Sequence, residues 1–211
     1  MTLVIALVLL MTEWITVLPT VVASVPRLEA RKAGGSTAIC SAVIFEIDPL
    51  GYAHALTAAH CVAATTEHER VDITVAGRVG VVLHQNTILD LAIVRFRPRQ
   101  DRPIRLASTN PPSGSEVAVL GYAFGEDDLV VQFGHIAQPY NRRSRTTWVD
   151  VTLMFGDSGG ALINRAGELV GINSAILYQG PARIGMVVSV EAIHDYLEYF
   201  AALKRDSEIH K

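Results

Sequence analysis

The chain has 211 residues, 50% of them hydrophobic and 18% charged, with a formal net charge of -3 at pH 7 and two cysteines. That length allows one domain or two small ones, and the composition can bury a core, which excludes a disordered chain. A mild negative charge argues against binding nucleic-acid phosphates, and two cysteines neither complete a four-ligand zinc site nor staple a disulfide-dense scaffold, so no metal or cofactor is expected.

Leu3 to Met11 is an unbroken apolar run, and Trp14 to Val25 is a second one with Pro19 inside it. Three readings are open for residues 1–24. They are a secretory signal peptide cut near Ala23-Ser24, a membrane anchor through residues 3–25, or a misplaced start codon. Glu13 and Pro19 weigh against the anchor, and the lack of Lys or Arg before Leu3 weighs against the signal. The first two place the rest of the chain outside the cytosol: secreted, or anchored with the domain facing out. Residues 25–36 carry four charges and a Gly-Gly pair and read as a linker.

Short β-type runs come next. Thr37 to Ile47, the turn signal Asp48-Pro-Leu-Gly51 and Tyr52 to Thr57 read as a hairpin. Further strands are expected over Val71–Ala76, Val79–His84, Leu91–Phe96, Glu116–Gly121, Val130–Ala137, Thr146–Val151, Ala161–Asn164, Glu168–Ser174 and Ile184–Ser189. Turn residues punctuate them as in sandwiches and barrels, without the helix alternation of a parallel sheet. Asn110-Pro-Pro-Ser-Gly114 divides the strands into two groups and reads as a linker between two small barrels, or as one long surface loop. The tail changes period. Val190, Ile193, Leu197, Phe200 and Leu203 form one helical face, with Ser189 as N-cap, predicting a helix over 190–204.

Three places carry chemistry. In Gly156-Asp-Ser-Gly-Gly160 the glycines suggest a tight turn that exposes the Ser158 hydroxyl. The same turn can aim the N–H groups of Gly156 and Ser158 at one point, as an oxyanion hole requires. A serine needs a general base, and imidazole is the side chain best tuned for that near neutral pH. Of seven histidines, His60 stands out, just after a hairpin strand in Thr57-Ala-Ala-His-Cys61. An orienting carboxylate is offered by Asp90, at the start of the apolar strand Leu91-Ala-Ile93, where it needs a partner.

Together, Thr57-Ala-Ala-His-Cys61, Asp90-Leu-Ala92 and Gly156-Asp-Ser-Gly-Gly160 resemble the trypsin-like (chymotrypsin-fold) serine peptidases, in the order His, Asp, Ser. The stretch Gly171-Ile-Asn-Ser-Ala-Ile176 with Ile184-Gly-Met186 and Val190 is similar to HtrA/Deg proteases near their substrate pocket. The resemblance implies an all-β fold of two six-stranded antiparallel barrels, about 37–110 and 111–189, closed by the C-terminal helix. It implies a Cys40–Cys61 disulfide beside the catalytic His. It also implies protein or peptide substrates and a triad of His60, Asp90 and Ser158, with an acyl-enzyme on Ser158.

By the same resemblance the P1 pocket has Thr152 at its base, Ser174 to Ile176 on one wall and Gly185 on the other. None is charged, so uncharged aliphatic P1 residues are expected. The family's Ile-Val-Gly-Gly start is absent, which sets aside activation by an inserted N-terminus and leaves Asp157 to pair with an internal base or a loop N–H. Two rivals share the motif. An α/β-hydrolase esterase needs the order Ser, Asp, His, which this chain lacks. A catalytically silent or latent binding protein on a protease scaffold is the other. The charged clusters Glu126-Asp-Asp128 and Arg142-Arg-Ser-Arg145 read as solvated loops, or as docking points for a charged partner.

Overall fold

A computed structural model describes residues 13–33, 35–64, 71–179 and 182–209. Among the described residues, thirteen strands form two sheets. The first half contributes β1 (Arg27–Lys32), β2 (Thr37–Ser41), β3 (Val43–Ile47), β4 (Ala53–Thr57), β5 (Val71–Val75), β6 (Arg78–Asn86) and β7 (Leu91–Phe96). They make a seven-stranded sheet in the order β2-β1-β5-β6-β7-β4-β3. The second half contributes β8 (Glu116–Gly121), β9 (Val130–Asn141), β10 (Thr146–Val149), β11 (Ala161–Asn164), β12 (Leu169–Gln179) and β13 (Ala182–Ser189). These close into the six-stranded barrel β10-β13-β12-β11-β8-β9, and every named strand pair in both sheets is antiparallel.

The expected double-barrel architecture with a C-terminal helix is therefore present, with two differences: the first sheet is an open half-barrel, since β2 and β3 at its ends do not pair with each other, and it holds seven strands where six were expected. The added strand is β1, inside the segment read as a linker. Leu28 and Ala30 are buried and alternate with outward-facing charged residues, a period of two that is half charge. β1 pairs with β2 on one side and β5 on the other.

Each barrel has its own interior. Leu28, Ile44, Ala55, Val75, Val94 and Phe96 fill the first, and Val117, Ile136, Val149, Leu162 and Val187 the second. A third cluster is the seam between them. It joins Leu56, Leu91 and Ile93 from the first sheet to Leu120, Ile163 and Leu169 from the second.

Two helical pieces seal that seam. The first, α1, covers residues 13–21 of the apolar leader. Trp14, Val21 and Val25 are buried in the seam, Trp14 meets Phe133 edge to face, and Glu13 pairs with Arg165. A cut at Ala23-Ser24 would strip Trp14 and Val21 from this seam. The apolar run Leu3–Met11 lies outside the described residues. A single helical turn, α2 (Ala59–Val62), follows β4 within the first half and is taken up with the site below. The second sealing piece is α3 (Val190–Ile209). It begins where Ser189 Oγ accepts the Ala192 N–H at 3.3 Å, and it buries Ile193 and Tyr196. Tyr196 OH and His84 Nδ1 share a 2.9 Å hydrogen bond, so His84 is a structural partner of this helix. Among the described residues no helix is long and apolar enough to cross a membrane.

Candidate active site

His60 is delivered by α2, immediately after β4. Cys61 N–H donates to Ala58 O at 3.1 Å, and the Cys40–Cys61 disulfide ties the turn to β2. Asp90 ends the turn between β6 and β7, in which Asn86 Oδ1 accepts the N–H groups of Ile88 and Leu89. It sits at φ 55, a left-handed conformation that aspartate tolerates better than most residues.

The carboxylate is fully engaged. His60 Nδ1 lies 3.0 and 2.9 Å from its two oxygens, and His60 N–H donates to Oδ1 at 3.0 Å. Ser174 Oγ donates to Oδ2 at 2.6 Å. Burial works to raise the Asp90 pKa, but the bonds from the His60 ring, the Ser174 hydroxyl and the His60 N–H outweigh it and hold the carboxyl below its ordinary range. Ser174 was expected only as a pocket wall. Its link to Asp90 has no sequence signal, because a serine in a strand is usually anonymous.

Ser158 comes from the second barrel, in the loop between β10 and β11. Asp157 N–H donates to Met154 O at 3.0 Å, and Gly156 takes φ +97 at the third position of that four-residue turn. A positive φ there is the mark of a type II turn, which glycine supplies without strain. A Cβ on Gly156 would stand 2.0 Å from Tyr122 O, so the position also requires glycine for space. Gly159 is equally constrained, with Ser41 O and Thr57 Oγ1 each 2.2 Å from its Cβ position. The motif's glycines thus let the serine loop press against the first barrel. Neither the Gly156 nor the Ser158 N–H donates to a backbone acceptor among the described residues, the condition an oxyanion hole requires of its donors.

One link is open. Ser158 Oγ donates to Ser174 O at 3.5 Å and not to His60. Catalytic hydrogen bonds of this kind commonly tighten only when substrate is bound.

A cleft of about 590 Å³ joins these groups. His60, Ser158, Thr152, Ser174 and Ile176 line it. Gly185 does not. It pairs with Val149 and Ile176, and its Cβ position lies 2.7 Å from Val151 O, so it packs behind the wall. Leu153, Met154 and two exposed aromatics contribute to the lining, Phe124 at 69% and Phe155 at 90% exposure. No carboxylate lines the cleft among the described residues. One member of each charged cluster forms an ion pair: Asp127 with Arg27, and Arg145 with Asp195 of α3.

Asp157 faces inward and is 1% exposed. Its Oδ2 accepts the Met154 N–H at 2.8 Å and the Gln132 amide at 3.3 Å, while Oδ1 has no partner among the described residues. Burial pushes its pKa up, opposed by those two donors. A raised folded pKa gives stability that is present below the unfolded value of about 3.9 and is lost as pH rises through the folded value. Asp157→Asn keeps one acceptor and sheds the charge. It is expected to raise the melting temperature at pH 7 by about 2–4 °C, with the gain vanishing near pH 3, as thermal melts at both pH values would show. An unchanged gap at low pH would contradict a charge effect.

Residues 40–172 match the family described as the trypsin-like peptidase domain. No curated protein matches the sequence. The fold is similar to the serine endoprotease from Yersinia pestis, at TM-score 0.69 and 22% identity over 85% of this chain. This chain spans 63% of that protein's length. It is similar to the active form of the Rv3671c protease from M. tuberculosis, at TM-score 0.72 and 19% identity, covering 86% of this chain and 82% of that one. It is also similar to the HtrA-type protease AlgW with tripeptide, at TM-score 0.70 and 21% identity, covering 89% and 62%. At these identities the structural likeness is one of fold.

Proposed function

The chain belongs to the trypsin-like peptidase domain family, and from that premise we propose that it is a serine endopeptidase with His60, Asp90 and Ser158 as its triad, that it prefers uncharged aliphatic P1 residues, and that it acts outside the cytosol. The observation that carries the triad is the hydrogen-bonded run Ser174–Asp90–His60 meeting Ser158 at one cleft.

Ser158 Oγ attacks the substrate carbonyl while His60 takes its proton. Asp90 keeps Nδ1 of His60 protonated and stabilises the imidazolium. The Gly156 and Ser158 N–H groups receive the oxyanion, and His60 returns the proton to the leaving amine. Water then repeats the sequence on the acyl-enzyme.

Labelling with a fluorophosphonate, beside Ser158→Ala and His60→Ala, tests the reading. Wild type alone is expected to label. A folded wild type that resists labelling would favour the second reading, a latent or silent binding protein. The open Ser158–His60 link is the observation on that side.

The P1 preference is supported by a lining of Thr152, Ser174 and Ile176 with no carboxylate to pair with Arg or Lys among the described residues. Val, Ala or Leu substrates are expected to exceed Arg and Lys ones by at least about tenfold in kcat/KM, and the reverse order would overturn the assignment. The extracytoplasmic setting is supported by the Cys40–Cys61 disulfide, since such bonds persist in oxidising compartments. Cell fractionation should then recover the domain outside the cytosolic fraction, and recovery in the cytosolic fraction alone would overturn this setting.

A further inference from the structure

The two N–H groups of the oxyanion hole belong to residues whose own carbonyls are held from the first barrel by a single residue, Ser41. Ser41 ends β2, next to Cys40, and is fully buried. Its backbone N–H donates to Ser158 O at 2.8 Å. Its hydroxyl donates to Gly156 O at 2.8 Å and accepts the Tyr122 N–H at 2.9 Å. The Ser41 carbonyl is in turn fixed by Thr57 Oγ1 at 2.7 Å, three residues before His60.

The Tyr122 contact reaches the hole by a second route. Tyr122 O accepts the Gly125 N–H, closing the turn that presents Phe124. Phe124 N–H donates to Phe155 O at 2.5 Å. That carbonyl belongs to the same peptide unit as the Gly156 N–H, and across a planar trans peptide the two point in opposite directions, so fixing the carbonyl fixes the N–H. The next peptide unit is held through Gly156 O by the Ser41 hydroxyl. One buried hydroxyl therefore bridges the turn that carries Phe124 and the turn that carries Gly156.

We propose that Ser41 is a positioning residue of the oxyanion hole, its hydroxyl locking the Phe155–Asp157 peptides in the orientation that leaves the Gly156 N–H aimed at the substrate carbonyl. The proposal rests on the peptidase reading above. Ser41 touches no substrate and acts through Gly156 and Tyr122. Ser41→Ala leaves the Tyr122 N–H and the Gly156 carbonyl buried without this partner, and frees the Gly156 peptide to turn. The loss falls on the transition state, where the oxyanion forms, and not on ground-state binding in the cleft.

The test compares wild type, Ser41→Ala and Ser41→Thr, which keeps a hydroxyl. Active enzyme is counted by end-point fluorophosphonate titration, and folding is checked by thermal melting. Ser41→Ala is expected to lower kcat about 10- to 100-fold, with KM held within about twofold. Inhibition by a peptide boronate, which places an oxygen in the hole, weakens in parallel, while binding of the cleaved product peptide does not change. Ser41→Thr restores most of kcat. A Ser41→Ala enzyme with unchanged kcat per titrated site would overturn the proposal, as would a loss confined to KM or an equal weakening of boronate and product. Wild type that takes no label at Ser158 would overturn the peptidase reading and this proposal with it. A labelled wild type beside an equally active Ser41→Ala would overturn this proposal alone.

Discussion

Ser158→Ala is expected to lower kcat on a peptide substrate by about 10⁶-fold while leaving the melting temperature and product binding nearly unchanged. The alanine removes the nucleophile and a 3.5 Å hydrogen bond to Ser174 O, and no apolar packing. His60→Ala is expected to cost about as much. Its ring is 51% exposed, so its removal opens no buried cavity. The double variant should be no worse than either single one, because the two groups act in one step. Stopped-time assays over hours, with the single and double variants side by side, would show this. Additive losses would mean that the serine and the histidine serve different steps.

Asp90→Asn is the second large effect, about 10⁴-fold in kcat. The carboxylate accepts from the His60 ring, the His60 N–H and the Ser174 hydroxyl. An amide in its place turns one acceptor into a donor, which favours the histidine tautomer unable to take the serine proton. The same substitution probes stability. Asp90's folded pKa is lowered, so its contribution is present above the unfolded value of about 3.9 and is lost as acid protonates it through the folded value. Wild type should therefore lose stability on acidification more steeply than Asp90→Asn. A parallel pH dependence would mean that the carboxylate is not stabilised by these bonds. Ser174→Ala, which removes one of three donors, should show a weaker form of both effects.

The three residues of the proposed triad stood out in the sequence because each sits in a short motif whose residues are set by local geometry. Gly156 and Gly159 are glycines since Tyr122 O and Ser41 O leave no room for a Cβ, and that constraint is visible as a glycine-dense pentad. The hidden features arose from contacts that no local pattern encodes. β1 alternates correctly, but its outward positions are charged and its inward ones are only Leu28 and Ala30, so it resembled a linker. Ser174 takes its role from Asp90, eighty-four positions earlier. Gly185 matched a family position, yet its register against Val149 and Ile176 turns it behind the cleft wall. The leader's apolarity suggested a membrane or a secretion pathway, and hydropathy alone does not distinguish those from the seam that Trp14 and Val21 occupy.

The division of the proposed triad between the two halves of the fold sets an order of events during synthesis. His60 and Asp90 leave the ribosome first, and Ser158 emerges after an interval on the order of ten seconds at ordinary elongation rates. Through that interval the nascent chain holds a base and its orienting carboxylate but no nucleophile. The turn around Gly156 also gains its bond from the Ser41 hydroxyl only once the second barrel meets the first sheet. On the proposed reading, a growing chain is inert toward its neighbours and toward itself, and proteolytic capacity arrives as a late product of folding.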